Sequence, residues 1–129
     1  MNKFRVLILA LVCALSSSFV SCDLWKDAIE NSITDTWLST DGDYYYSYTF
    51  NYDGTYYYET GYVLNSGKFE QTGFDDGYYE FSNYRKELTL ESNYSYKIIT
   101  YTAYISNGVL RIADTIDQFG TWYYTIFYR

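Results

Sequence analysis

Residues 44 to 63 read Tyr-Tyr-Tyr-Ser-Tyr-Thr-Phe-Asn-Tyr-Asp-Gly-Thr-Tyr-Tyr-Tyr-Glu-Thr-Gly-Tyr-Val, two aromatic runs about a single Asp-Gly. Aromatic side chains suit a pleated, half-buried surface, and alternation with period two is the mark of a strand. Tyr44, Tyr46, Tyr48 and Phe50 fall on one face of the first run, and Tyr45, Ser47, Thr49 and Asn51 on the other. On the return, Tyr56, Tyr58 and Tyr62 share a side opposite Tyr57, Glu59 and Val63. Asp53-Gly54 between them predicts a hairpin with a type I′ turn, in which both central residues have positive φ.

The same grammar runs to residue 129. There are 19 tyrosines, all after residue 43, and no proline. Strands are predicted at Ile33–Ser39, Tyr44–Asn51, Tyr56–Val63, Lys68–Gln71, Tyr78–Ser82, Glu87–Glu91, Tyr94–Ile105, Val109–Ala113 and Thr121–Tyr128. Thr40–Asp43, Asn65–Gly67 and Ser106–Gly108 are predicted turns, and Gly73–Gly77 a loose acidic connection. The fold class is all-β: eight or nine short strands in an antiparallel up-and-down meander. A meander of this length closes on itself because closure removes unpaired edges, giving a barrel of about eight strands.

The N-terminus reads differently. Met1–Arg5 is a short basic stretch, Val6–Leu15 an uncharged apolar run, and Ser16–Ser21 a small-residue segment ending before Cys22. An apolar run that short does not span ~30 Å of hydrocarbon, so it reads as an export signal, removed after use. Residues 1–21 are assigned to the signal, 22–32 to a tether and 33–129 to the barrel. Within the tether, Leu24 and Ala28 can share a face of a short helix starting at Asp23, and Trp25 suits either the membrane interface or the barrel surface. Losing residues 1–21 removes Lys3, Arg5 and no acid, which moves the formal charge from −7 to −9. A chain this acidic is expected to repel nucleic acid and anionic lipid headgroups, and its attachment to a membrane is expected to come from acyl chains and not from a basic patch.

Two resemblances follow. Phe19-Val20-Ser21-Cys22 resembles the bacterial lipobox, which implies that Cys22 is the mature N-terminus and carries the acyl groups, palmitate among them. Asp35-Thr36-Trp37, Tyr48 to Tyr56 through Asp53-Gly54-Thr55, and Ser66-Gly67-Lys68-Phe69 together resemble small bacterial lipocalin-like lipoproteins, with Asp35 where that pattern has glycine. The family implies a barrel with one end closed by Trp37, and often an apolar ligand cavity. The chain is then expected on the bacterial cell envelope, anchored by lipid and facing the periplasm or exterior.

The chain has no histidine, which excludes His-based acid–base catalysis, Ser-His triads and His-ligated metals. Cys13 lies in the removed segment, so no disulfide and no catalytic thiol is expected. Asp41, Asp43, Asp53, Asp75 and Asp76 lack the spacing of a calcium loop and read as turn chemistry. Glu59 with Glu80 has no glycosidase motif behind it. No metal, no cofactor and no enzymatic activity are expected. What remains is binding. Trp37, Tyr46, Tyr48, Phe50, Tyr56 and Tyr58 are the candidate ligand or cavity wall, for a small apolar ligand. Tyr45, Tyr57 and Tyr123 are the candidate exposed patch, for a protein or glycan partner should the barrel prove filled.

Overall fold

Eight strands follow one another along the chain: β1 (Asp35–Asp41), β2 (Tyr44–Phe50), β3 (Thr55–Val63), β4 (Phe69–Ser82), β5 (Glu87–Ser92), β6 (Ile98–Ser106), β7 (Val109–Ile116) and β8 (Trp122–Tyr128). Each pairs antiparallel with the next, and β8 returns to β1, closing the barrel. The computed structural model describes residues 32–129, the side chains of Asp114 and Thr115 excepted, and these residues form one unit. The export signal, Cys22, Trp25 and the expected short helix from Asp23 lie outside the described residues.

Up-and-down topology sorts the hairpins onto two ends. The β2–β3, β4–β5 and β6–β7 hairpins share the lower end with the start of β1 and the finish of β8. The other four hairpins form the upper end. The core sits low: Trp37, Phe50, Leu88, Ile105, Leu110 and Phe127 are all buried and all lie within three residues of a strand's lower terminus. Aromatic rings stack upward from it. Tyr48 lies 5.4 Å from Phe50, 4.6 Å from Tyr58 and 5.5 Å from Phe127, centroid to centroid.

The turns are built by side chains as much as by glycine. At Asn51–Gly54 the Gly54 N–H donates to the Asn51 carbonyl, and only Gly54 (φ 84°) is left-handed. This is a type I turn closed by a glycine bulge, not the type I′ turn expected at Asp53-Gly54. Asp53 stays right-handed because its carboxylate accepts from the Thr55 N–H and hydroxyl. The Leu64–Lys68 and Asp117–Thr121 hairpins repeat the pattern with Gly67 and Gly120. The type I′ turn occurs instead at Asn107-Gly108, with φ of 54° and 72°. Gly54 has open space around a β-carbon, so Gly54→Val meets backbone strain alone. Its expected effect is a loss of about 1–2 kcal/mol by urea denaturation, with Gly54→Asn nearly neutral.

Several expected boundaries are corrected: β1 starts at Asp35 and runs to Asp41, into the expected turn, β7 runs past Ala113 to Ile116, and two further changes are larger. Gly73–Gly77 is not a loose connection; it is the middle of β4, which joins the two short strands expected on either side and brings the count to eight. A bulge at Thr60/Gly61 absorbs the register change there. Gly77 pairs with both Tyr56 and Ser92, where β4 passes from one neighbour to the other. Second, Tyr94–Tyr96 is hairpin rather than strand, and β6 starts at Ile98. The Ser92 hydroxyl accepts from the N–H groups of Tyr94 and Ser95, and Tyr96 takes a φ of 56°.

Candidate functional site

Above the core the barrel is hollow. A cavity of about 350 Å³ is bounded by Ser39 and Asp41 of β1, Tyr46 and Tyr48 of β2, Tyr58 of β3 and Tyr101 of β6, with Ile112, Thr125 and Phe127 behind. Asp41 borders the β1–β2 hairpin, so the cavity faces the upper end. A second recess of about 240 Å³ shares Tyr48, Tyr58 and Tyr101 with it and reaches Tyr56, Asp75, Ser92 and Lys97. The three shared tyrosines stand between the two recesses.

The local sequence explains this wall. Alternation sends Tyr46 and Tyr48 inward on β2, and Tyr56 and Tyr58 inward on β3; Tyr48 stands opposite Tyr58 across the β2–β3 ladder, Tyr46 opposite Thr60 and Tyr56 opposite Phe50. On β4 the same parity points Asp75 inward, directly opposite Tyr58. The Asp75 carboxylate accepts from the Tyr56 hydroxyl at 2.8 Å and the Ser92 hydroxyl at 2.6 Å. Burial, then the hydrogen bond to Asp75, pushes the Tyr56 phenol well above its ordinary range. Burial does the same to Tyr48, with the neighbouring Tyr58 adding to it. Both therefore stay protonated at neutral pH and present neutral hydroxyls.

The candidate wall residues thus divide. Tyr46, Tyr48, Tyr56 and Tyr58 line the two recesses. Trp37 and Phe50 do not: both are buried in the core beneath. Trp37 makes its own assembly at the lower end. Its indole N–H donates to the Ile33 carbonyl at 2.8 Å, and the Arg129 guanidinium lies 4.6 Å from its ring centroid. Arg129 also donates to the Ser32 carbonyl at 3.1 Å. Sequence reading had no signal for Arg129, since its partners lie at the opposite end of the domain sequence. Asp75 and Tyr101, also in the wall, were read as turn chemistry and as strand.

The expected exposed patch of Tyr45, Tyr57 and Tyr123 is corrected at Tyr45, which is 1% exposed. Tyr45 points outward but stands opposite Gly61, and its ring lies over that glycine against Phe69 at 4.6 Å. A missing β-carbon on one strand thus houses a ring from the next. Tyr57 stacks on Phe74 at 6.3 Å, and Phe74 meets Tyr94 edge-on at 5.3 Å. Tyr123, on β8, donates instead to Asp117. The outer aromatic row is therefore Tyr57–Phe74–Tyr94, two of whose members sequence reading did not select.

Among the described residues, no group of three or more acidic, histidine or cysteine side chains is placed to hold a metal ion. Asp76 is engaged by Asn93 and Tyr94, and Asp117 by the backbone of its own hairpin.

These features define an all-β protein: an eight-stranded antiparallel barrel, packed at one end and hollow toward the other. Comparison of the chain with protein-family models, with curated proteins and with solved structures gives no match.

Proposed function

We propose that this chain is a lipid-anchored protein of the bacterial cell envelope whose barrel holds a small ligand and catalyses no reaction. The observation that carries the reading is the tyrosine-walled cavity of about 350 Å³ above the core. That volume is at the lower end of the range for small-molecule sites, which are largely preformed, mostly apolar and fitted with a few polar groups. Here the rings supply the apolar wall. Neutral phenols and the Asp41 and Asp75 carboxylates supply the polar points. The ligand that fits has a compact apolar or aromatic body with hydrogen-bonding substituents. The lipocalin-like pattern in the sequence and the lipobox-like run at Cys22 support the same reading.

The test fills the cavity from a position with room to spare. Ser39 is inward and buried, and it borders the cavity. An apolar fluorescent probe titrated into the chain should quench tyrosine and tryptophan emission, saturably and with one site. Ser39→Phe should weaken that binding at least tenfold while leaving the circular dichroism spectrum unchanged. Equal binding by the filled variant would remove the cavity reading.

A second reading has its own observation. The Tyr57–Phe74–Tyr94 row lies on the outer wall, with Phe74 and Tyr94 more than half exposed. Tyrosine is enriched at protein interfaces. If replacing these three with serine abolishes capture of a protein or glycan partner, and no probe enters the cavity, the chain acts through its outer surface.

A further inference from the structure

The two ends of the barrel differ in charge: the upper end is acidic, and the lower end is balanced and holds most of the described basic residues. Near the lower end stand Arg85, Lys86, Arg111 and Arg129 against Asp35, Asp53, Glu80 and Glu87. The upper hairpins are flanked by Asp41, Asp43, Glu70, Asp76, Glu91 and Asp117 against Lys68 and Lys97. In a chain of net charge −7, four of the basic residues therefore gather at one end. Three of them are clustered. Lys86 and Arg111 flank the Tyr104 ring, 5.1 Å and 5.7 Å from its centroid, and Arg85 precedes Lys86 in the β4–β5 hairpin.

The most exposed aromatic side chains are at this end too. Tyr84, beside Arg85, is 97% exposed, and Tyr52, at the tip of the β2–β3 hairpin, is 96% exposed. A tyrosine fully in water gains nothing from the fold. Its favoured place is a membrane–water interface, ring among the headgroups and hydroxyl toward water. The chain enters the barrel at this same end, through Ser32 and Ile33. Cys22 is ten residues further back, a span of at most ~35 Å. The surface chemistry of the barrel then bears on which face meets the bilayer.

We propose that the lower end of the barrel is a docking face for an anionic bilayer, with Tyr52 and Tyr84 seated in the headgroup layer and Arg85, Lys86 and Arg111 facing lipid phosphates. The acidic upper end then points away from the membrane and presents the cavity to the aqueous side. The proposal rests on the anchor reading only for what brings the chain to the membrane.

The test is hydrogen exchange on the full-length exported protein, free and bound to vesicles of phosphatidylglycerol or of phosphatidylcholine. Intact mass reports separately whether Cys22 is acylated. On phosphatidylglycerol, peptides covering residues 51–54 and 83–86 should exchange at least tenfold more slowly, while those covering 93–97 and 117–121 stay unchanged. Tyr96 and Phe119, nearly as exposed in those upper hairpins, are the internal control. Arg85→Gln with Lys86→Gln should reduce the protection about fivefold per charge removed, as should raised salt.

An acylated chain without protection of the lower hairpins, or with protection of the upper ones, overturns the docking face and leaves the anchor standing. An unacylated chain that still shows the lower pattern upholds the docking face and removes the anchor. Capture of a soluble anionic polysaccharide by Arg85 and Lys86, with no vesicle protection, also overturns it.

Discussion

Trp37→Ala is expected to cost the barrel a large part of its stability and to bring it close to unfolding at room temperature. The indole is fully buried, so its removal empties the largest volume that any single buried side chain fills here. Such truncations cost about 3–5 kcal/mol. Two further losses follow from the geometry: the Ile33 carbonyl loses its donor, and the Arg129 guanidinium loses the ring beneath it. A domain of this size has a total stability of about 5–15 kcal/mol, so the three losses together remove a large part of it. Urea denaturation followed by near-ultraviolet circular dichroism measures the outcome. Trp37→Phe, which keeps most of the ring and loses the N–H, should cost markedly less than alanine. Equal melting of Trp37→Ala and the unchanged chain would mean that the indole supports nothing at the lower end.

Gly77→Ala should be, with Gly61→Ala, among the most damaging small substitutions in the barrel wall. A β-carbon at Gly77 would fall inside the van der Waals surface of the Glu91 carbonyl on β5, so backbone must move to admit it. Overpacking costs typically 1–3 kcal/mol, and the need to shift backbone rather than a side chain puts this case at about 3 kcal/mol or above. The site is also where β4 is held by two neighbours at once, so movement there disturbs two ladders. Gly73→Ala is the control on the same strand. Its β-carbon would meet only the Thr60 methyl, at 3.2 Å, and the expected loss is under about 1 kcal/mol. Parallel thermal melts of the two variants decide it: equal losses would show that the Glu91 carbonyl does not crowd Gly77.

The all-β class, the meander and the closure were legible because they are written in short-range pattern. Tyr46, Tyr48, Tyr56 and Tyr58 could be placed inward from alternation alone, since parity needs only the strand itself. Errors came where a local signal had a distant cause. Gly73, Asp75, Asp76 and Gly77 look like a loop, yet Gly77 serves a close approach to β5. The two acids have partners on β3 and β5 and in the β5–β6 hairpin. Tyr45 alternates as an outward residue and is one, but its burial depends on Gly61 across the ladder and on Phe69 beyond it. The turn type at Asp53 was decided by a side-chain hydrogen bond to Thr55, which composition does not reveal. Trp37 was recognised and Arg129 was not, because a pair so far apart leaves no trace in any window.

The join between β1 and β8 is a single bridge, Leu38 opposite Tyr128, whereas every other pair of neighbours is matched over four residues or more. It is also the one pairing between strands that are not consecutive in the chain. Seven ladders can form by local zipping, but this one must draw together residues ninety positions apart. The entropy of such a closure grows only as the logarithm of loop length, yet it has just one backbone bridge to offset it. Much of the offset falls to Arg129, which joins the end of β8 to Trp37 and Ser32. Sealing the barrel is thus expected to be the slow, late event of folding, and an unsealed sheet would expose β1 and β8 as free edges to another chain. Weakening Arg129 should therefore appear first as concentration-dependent association during refolding, before any loss is visible in the folded barrel at equilibrium.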